Sequence, residues 1–301
     1  MRFLSIGECM AEMSPQEEPG MFRLGFAGDT FNTAWYLKQV APQIEVSYLT
    51  GLGTDKISDQ LRATIKDAGI NDTYSVVVED KTVGLYLISL DNGERSFSYW
   101  RGQSAARQLA SDPSALKRAI EDHDVIYFSG ITLAILDAEG RDALLSALRE
   151  GRSAGKKIAF DPNLRPRLWD TPDTMRKVTM AGASVSDLLL PSFEDEASWF
   201  DDADPNATAQ RYQSARAGTV IVKNGPDAVY YCSSDGADTV EVPKIGDVVD
   251  TTAAGDSFNA AVFAGLNDGL GLDRCIAAAS ALAGQVVKAR GALVPVARPK
   301  T

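Results

Sequence analysis

The chain has 301 residues, of which 45% are hydrophobic and 24% charged, and its formal net charge is −11. Such a length and composition suit a soluble α/β protein with a sizeable core. The acidic balance speaks against nucleic acid, whose phosphates need clustered Lys and Arg, and against an anionic membrane surface, but leaves room for a small anionic ligand held by a few local cations.

No apolar run is long enough to span a bilayer, and Met1–Glu8 reads as a first strand rather than a signal peptide, so the expected location is cytoplasmic. Cys9, Cys232 and Cys275 lie far apart without CxxC spacing. They predict neither a disulfide nor a zinc site, only small buried apolar residues. The single histidine, His123, falls in Glu121–Asp124, a predicted helix-to-strand loop, and reads as a solvated turn residue. Acid–base chemistry then falls to a carboxylate or a lysine.

In chain order, Phe3–Ile6 predicts a buried strand ending at Gly7, and Thr30–Gln39 a helix with Phe31, Ala34, Trp35 and Leu37 on one face. Val46–Leu49 predicts a strand before Gly51–Gly53, and Ile57–Asp67 a helix closed by Gly69. Thr82–Leu90 and Arg95–Trp100 predict a hairpin around a turn at Asp91–Glu94. A hairpin has no place in a purely parallel sheet, so it is expected to leave the body as an extra layer or lid. Alternation resumes with strands at Val125–Phe128, Lys157–Phe160, Leu188–Leu190 and Thr219–Val222, with helices at Ala138–Glu150 and Thr174–Ala181 between them. A hairpin-like pair at Val229–Cys232 and Thr239–Val242 precedes helices at Gly255–Asn267 and Asp273–Lys288. The expected fold is a doubly wound, mostly parallel α/β sheet covered by helices on both faces, one domain over 1–301, with a small β lid from segments near 9–26 and 82–101.

Two runs carry chemistry. In Asp250–Phe258, the small residues Ala253, Ala254 and Gly255 open a helix where phosphate oxygens can approach exposed N–H groups, and Asp256 can accept the proton of an attacking hydroxyl. An Asp in a first helical turn after a Thr cap gives the same pattern, so this run by itself leaves the choice open. In Gly25–Ala34, Gly28, Asp29 and Asn32 surround another helix start, where short polar side chains can bind sugar hydroxyls or simply cap the helix through Asp29 or Thr30. There is no GxxxxGK[ST] run and no GxGxxG at the first βα turn, which disfavours P-loop and dinucleotide-binding folds.

Together the two runs resemble the ribokinase-like (PfkB) carbohydrate kinases along essentially the full length. The likeness is carried further by Ile6–Met10, Gly28–Thr30, Gly93–Arg95, Tyr99–Arg101, Ser129–Ile131, Asn163–Trp169 and Arg290–Ala292. Within that family the combination resembles the branch acting on 2-keto-3-deoxygluconate. The resemblance implies ATP-dependent phosphorylation of that sugar acid at its terminal hydroxyl, with Asp256 as base and the N–H groups of Ala253, Ala254 and Gly255 as an anion hole. It assigns Gly28, Asp29, Asn32 and Ile131 to the sugar, Arg101 to its carboxylate, and Arg165 to sugar or nucleotide phosphates. Tyr86 and Tyr99 either wall the substrate or pack in the core, and Arg167 either joins the site or forms a salt bridge. For the nucleotide it implies Asn163, Ser192, Lys223 and Gly225, besides Arg165, Ala253 and Gly255. Ser192–Asp195 aligns with the family's Asn-x-x-Glu element, which helps organise Mg²⁺. Ser192 and Asp195 depart from that pattern, leaving Asp195 to act through water. A homo-oligomer formed through the lid is a further implication. The competing readings are a kinase of fructose or of 2-keto-3-deoxygalactonate, and a non-catalytic sugar-acid sensor; Arg101 and Arg165 weigh against a neutral sugar, Asp256 against a sensor.

Overall fold

The computed structural model describes residues 1–91 and 94–299. The chain runs β1 (Arg2–Ile6), β2 (Met10–Pro15), β3 (Phe22–Ala27), α1 (Asp29–Val40), β4 (Glu45–Leu49), β5 (Gly51–Leu52), α2 (Lys56–Asp67), β6 (Val76–Val77), β7 (Leu85–Asp91) and β8 (Glu94–Trp100). It continues through α3 (Pro113–Glu121), β9 (Val125–Ser129), α4 (Gly130–Ile135), α5 (Ala138–Ser153), β10 (Lys157–Asp161), α6 (Pro172–Ser184), β11 (Leu188–Leu189) and α7 (Phe193–Phe200). It ends with α8 (Pro205–Ser214), β12 (Thr219–Val222), β13 (Val229–Ser233), β14 (Gly236–Val240), α9 (Ala254–Asn267) and α10 (Leu272–Val286).

Among the described residues, the main sheet has the order β14-β13-β12-β11-β10-β9-β1-β4. Its strands from β4 to β12 pair in parallel, and β13 and β14 add antiparallel at one edge. Side-chain alternation explains the two helical layers. Phe3, Tyr127, Ala159 and Ile221 point into one core with α1, α2, α9 and α10. Leu4, Ile6, Ile126, Phe128, Ile158, Phe160, Val220 and Val222 point into the other, against α3, α5 and α8. This is the doubly wound α/β architecture expected from the sequence.

A separate sheet has the order β3-β2-β7-β8. Glu12 and Tyr86 are in register across β2 and β7, and Tyr86 and Tyr99 across β7 and β8. That face packs Met10, Ala27, Tyr86 and Ile88 against Ala292 and Ala253, so it reaches the start of α9. The strand begins at Leu85, not Thr82, because the Thr82 carbonyl instead accepts from Ala105 N–H at 2.8 Å. Asn92 and Gly93, expected in the turn, lie outside the described residues. The second hairpin pairs Val229–Ser233 with Gly236–Val240, a tighter connection than the sequence pattern indicated.

His123 is not solvated. It is buried, with Nδ1 2.6 Å from the Ala119 carbonyl and Nε2 2.8 Å from Ser47 Oγ. Burial pushes its pKa below the ordinary value, so it stays neutral.

Helix starts divide into two kinds. Those of α2, α3, α5 and α8 are closed by Asp55, Asp112, Asp137 and Asp204, whose carboxylates accept from backbone N–H groups. Those of α1, α7, α9 and α10 begin after Gly28, Ser192, Ala253 and Gly271 without a capping side-chain bond. The starts of α1 and α9 meet at the carboxyl edge of the main sheet.

Candidate active site

Gly28 begins α1 where the backbone passes very close to the chain leaving β1. A Cβ at position 28 would lie 2.0 Å from the Glu8 carbonyl oxygen, so only glycine fits. Its N–H donates to Asn32 Oδ1 at 3.3 Å, which turns the Asn32 amide nitrogen outward. Asn32 Nδ2 then donates to Asp256 Oδ2 at 2.8 Å. The two sequence motifs, 224 residues apart along the chain, thereby join in one hydrogen bond.

At the α9 end, Ala253 has φ 60°, in the left-handed region. A left-handed residue followed by helical ones turns successive N–H groups toward a common point, the concavity that holds anions. The helical ladder opens with Ser257 N–H donating to Ala253 O at 2.9 Å, so the N–H groups of Gly255 and Asp256 precede it. Ala254 N–H is engaged by the Thr251 carbonyl at 3.2 Å, so this expected donor has an internal partner. Asp250 fixes the loop. Its Oδ1 accepts from Thr252 N–H at 3.1 Å and its Oδ2 from Gly291 N–H at 2.8 Å, tying the Arg290–Ala292 motif to the start of α9.

Beneath this, Asp161 and Asn259, which the sequence did not single out, join the expected Lys223, Asn163 and Asp29 in one polar network. Lys223 Nζ donates to Asp161 Oδ2 at 2.8 Å and to Asn259 Oδ1 at 3.3 Å. Asn259 Nδ2 donates to the same Asp161 oxygen at 2.7 Å, and Asn163 N–H to Asp161 Oδ1 at 3.1 Å. Asn163, at φ 36°, also donates from Nδ2 to Asp29 Oδ2 at 2.7 Å. Asp161 ends β10 at the sheet edge where open α/β sheets bind ligands, and Asn259 follows Asp256 by one helical turn. Those two positions were the available signals.

Electrostatics follow from this crowding. Asp256 is half-buried, and its pKa rises to about 7, chiefly by burial and then by the nearby Asp29, with Asn32 and Lys223 pulling the other way. Asp29 is likewise raised, burial outweighing the hydrogen bonds it accepts.

The remaining expected residues are more dispersed. Arg101 donates through Nη2 to Glu8, which is buried and also accepts from Ser104 Oγ; its Nε is buried without a partner among the described residues. The Tyr86 hydroxyl donates to Glu12, and Tyr99, 5.8 Å from Tyr86 between ring centres, is half exposed. Arg165 is half exposed, donates to the Leu164 carbonyl at 2.6 Å, and lies 3.5 Å from the Asp195 carboxylate. Ile131 is partly buried on α4 and packs on the core below. Ser192 begins α7 and bridges to Lys223, while Gly225 takes φ +57° in the following turn. A recess of about 420 Å³ lined by Arg2, Lys38, Glu45, Tyr74, Asp122 and His123 opens at the opposite end of the main sheet and holds none of these residues.

Among the described residues no group of three or more His, Cys, Asp or Glu could cage a metal. The single carboxylate of Asp195 does fit Mg²⁺, an ion that keeps several waters and rides on nucleotide phosphates.

The chain matches the profile of the pfkB family carbohydrate kinase over residues 2–298. It is 36% identical over 300 residues to the 2-dehydro-3-deoxygluconokinase of Dickeya dadantii (strain 3937), covering 97% of this chain and 96% of that protein. Identity to the 2-dehydro-3-deoxygluconokinase of Escherichia coli (strain K12) is also 36%, over 299 residues and 96% of each chain. The solved structure of 2-dehydro-3-deoxygluconokinase from Thermotoga maritima shares the fold at a TM-score of 0.85 and 20% identity, covering 99% of this chain and 97% of that one. Fructokinase with bound ATP from Xylella fastidiosa gives a TM-score of 0.84 at 23% identity, with 97% and 93% covered.

Proposed function

The chain belongs to the pfkB family of carbohydrate kinases, and from that premise we propose that it phosphorylates 2-keto-3-deoxygluconate (2-dehydro-3-deoxygluconate) with ATP. The sugar acid enters between the small sheet and α1, and the nucleotide phosphates meet the start of α9. Asp256 takes the proton of the terminal hydroxyl as its oxygen bonds to the γ-phosphorus. The bond from that phosphorus to the bridging oxygen breaks, and ADP leaves. The N–H groups of Ala253 and Gly255, with the α9 dipole, receive the charge on the transferred group.

The observation that carries this reading is the 2.8 Å bond from Asn32 to Asp256, which sets the sugar-side motif against the phosphoryl-side motif. Identity of 36% to named 2-dehydro-3-deoxygluconokinases supports the acid substrate. So does Arg101, whose buried Nε lacks a partner among the described residues, one that a ligand carboxylate would supply. Gly28, Asp29, Tyr86 and Tyr99 complete the sugar side. Asn163, Arg165, Ser192, Lys223 and Gly225 face the nucleotide. Mg²⁺, held on the phosphates with Asp195 acting through water, would neutralise phosphate charge. The small sheet acts as a lid over the cleft, excluding water that would otherwise take the phosphoryl group. Its exposed Phe22, Leu24 and Trp100 suit pairing with a second copy.

The test is a kinase assay of the purified chain on 2-keto-3-deoxygluconate, 2-keto-3-deoxygalactonate and fructose. Preferred turnover of 2-keto-3-deoxygluconate is expected; preference for fructose overturns the substrate. Arg101→Ala should raise KM for the acid far more than for a neutral sugar.

A further inference from the structure

We infer that Asp161 and Asn259 are positioning residues for phosphoryl transfer, holding the Lys223 ammonium beside Gly255 so that it meets the transferred phosphoryl group together with the backbone donors. The inference rests on the kinase reading above but not on which sugar is the acceptor.

Three elements converge on Lys223. Asp161 comes from the end of β10, Asn259 from α9, and Lys223 itself follows β12; all three are buried. Asp161 and Asn259 take two protons of the ammonium, and Asn259 in turn donates to Asp161 and to the Tyr127 hydroxyl at 3.2 Å. An ammonium carries three donors, so one remains. Lys223 Nζ lies 3.5 Å from where a Cβ on Gly255 would sit, which puts it against the first turn of α9. The ion pair with Asp161 accounts for a buried cation, but its place against a helix start does not follow from folding, because that end of a helix is already positive. A phosphoryl group bound at that end reverses the account, since ammonium and helix dipole then attract the same ligand. The local charge balance points the same way: Asp256 feels the carboxylates Asp29 and Asp161 and the Lys223 ammonium, so an incoming phosphate meets a net negative wall unless the ammonium faces it. Asp161 fixes that orientation.

The groups facing Asp256 are Asp29 from α1, Asp161 from β10 and Lys223 after β12, with the Tyr36 and Tyr127 hydroxyls nearby. Asp161 raises the Asp256 pKa and Lys223 lowers it. The two residues therefore leave opposite signatures on the acid limb of kcat/KM.

The experiment is a double-mutant cycle with Lys223→Met, Asp161→Asn and both together, run on whichever sugar the wild-type chain turns over. Lys223→Met should lower kcat about 10²-fold with little change in sugar KM, the size seen when one preorganised donor is removed. Its acid limb should move to higher pH. Asp161→Asn should lower kcat roughly tenfold or more and move the limb to lower pH. The double variant should match Lys223→Met in kcat at pH values above all the acid limbs, where Asp256 is ionised throughout and Asp161 bears on the transferred group only through Lys223. Melting temperatures separate folding from function. Asp161→Asn leaves a buried ammonium unpaired and loses stability, whereas the double variant removes both charges and regains it. A Lys223→Met enzyme within twofold of wild-type kcat overturns the inference, as do losses that multiply in the double variant or acid limbs that stay in place. Preference for fructose would instead overturn only the substrate assignment, since the same losses are expected on that sugar.

Discussion

Two carboxylates in this molecule, the half-buried Asp256 and the fully buried Glu196, each have a pKa raised to about 7, mainly by desolvation, yet they sit in opposite kinds of surroundings. Glu196, on α7, is closed on every side. Its Oε2 accepts from Arg211 Nη2 at 2.6 Å and its Oε1 from the Tyr212 hydroxyl at 2.9 Å. Arg211 also binds Asp202 at 2.6 Å and lies 3.7 Å over the Phe200 ring. Asp256 accepts an amide hydrogen bond from Asn32, feels the same lysine that Asp161 binds, and remains half-buried at an uncapped helix start. A raised pKa therefore does not by itself mark a reactive group. The distinction lies in whether the neighbours complete the carboxylate or leave a position for a ligand.

The largest effect that could break this comparison is loss of the proposed base. Asp256→Asn should lower kcat by roughly 10²–10⁴-fold while both substrates still bind, measured by steady-state kinetics and calorimetry. Near-normal turnover would place Asp256 with Glu196 among structural groups. In the wild type a base must be ionised, so kcat/KM should fall about tenfold per pH unit below about 7.

Next in size is the closed cluster. Arg211→Met leaves Glu196 buried and unpaired, and should cost about 3–5 kcal/mol in denaturant unfolding near pH 8. The unpaired carboxyl has a folded-state pKa well above its unfolded value, so its share of stability falls as pH rises between them. The loss should accordingly shrink toward pH 5. A loss that does not change with pH would mean that Arg211 contributes packing rather than charge pairing.

The same sign argument applies to Asp256. Its folded pKa of about 7 exceeds the ordinary 3.8, so it destabilises the fold increasingly as pH rises from 3.8 to 7. Asp256→Asn should therefore raise stability at pH 8, by up to about 4 kcal/mol, and by much less at pH 4. A carboxylate that can be neutralised with a gain in stability differs from Glu196, whose cationic partner would then lose one of its two counter-charges.

How much of this was legible beforehand depended on the range of the interaction. The apolar run of Phe3–Ile6 and the apolar spacing of Phe31, Ala34 and Leu37 are local, and they gave β1 and α1 to within a residue at each end. The helices α3 and α8 were missed although Asp112-Pro113 and Asp204-Pro205 are local start signals, a cap followed by proline. Asp256 could be picked out because small residues before a helix have their own signature. Asp161 and Asn259 carried only positional signals, a strand end and one helical turn after Asp256, because the bonds joining them to Lys223 and each other cross 62, 36 and 98 residues. His123 was misread for the same reason: its acidic neighbours suggested solvent, while Ser47 and the Tyr74 ring, 5.2 Å away, enclose it from distant strands and loops.

The smallest prediction concerns backbone strain, which also differs between the two regions. Each has a non-glycine residue in the left-handed conformation: Ala253 at φ 60° before α9, and Asp201 at φ 58° closing α7. Asp tolerates that region because its short polar side chain can bond locally, whereas Ala has only its Cβ, which crowds the carbonyl. Ala253→Gly should thus stabilise the fold by about 1 kcal/mol, reduced by the entropy that glycine adds to the unfolded chain. Asp201→Gly should gain less or lose stability. Paired denaturant titrations at one pH measure the difference directly. Equal responses would mean that the α9 start is held without strain, and that the N–H groups before Asp256 owe their orientation to the Asp250 loop anchor rather than to a distorted Ala253.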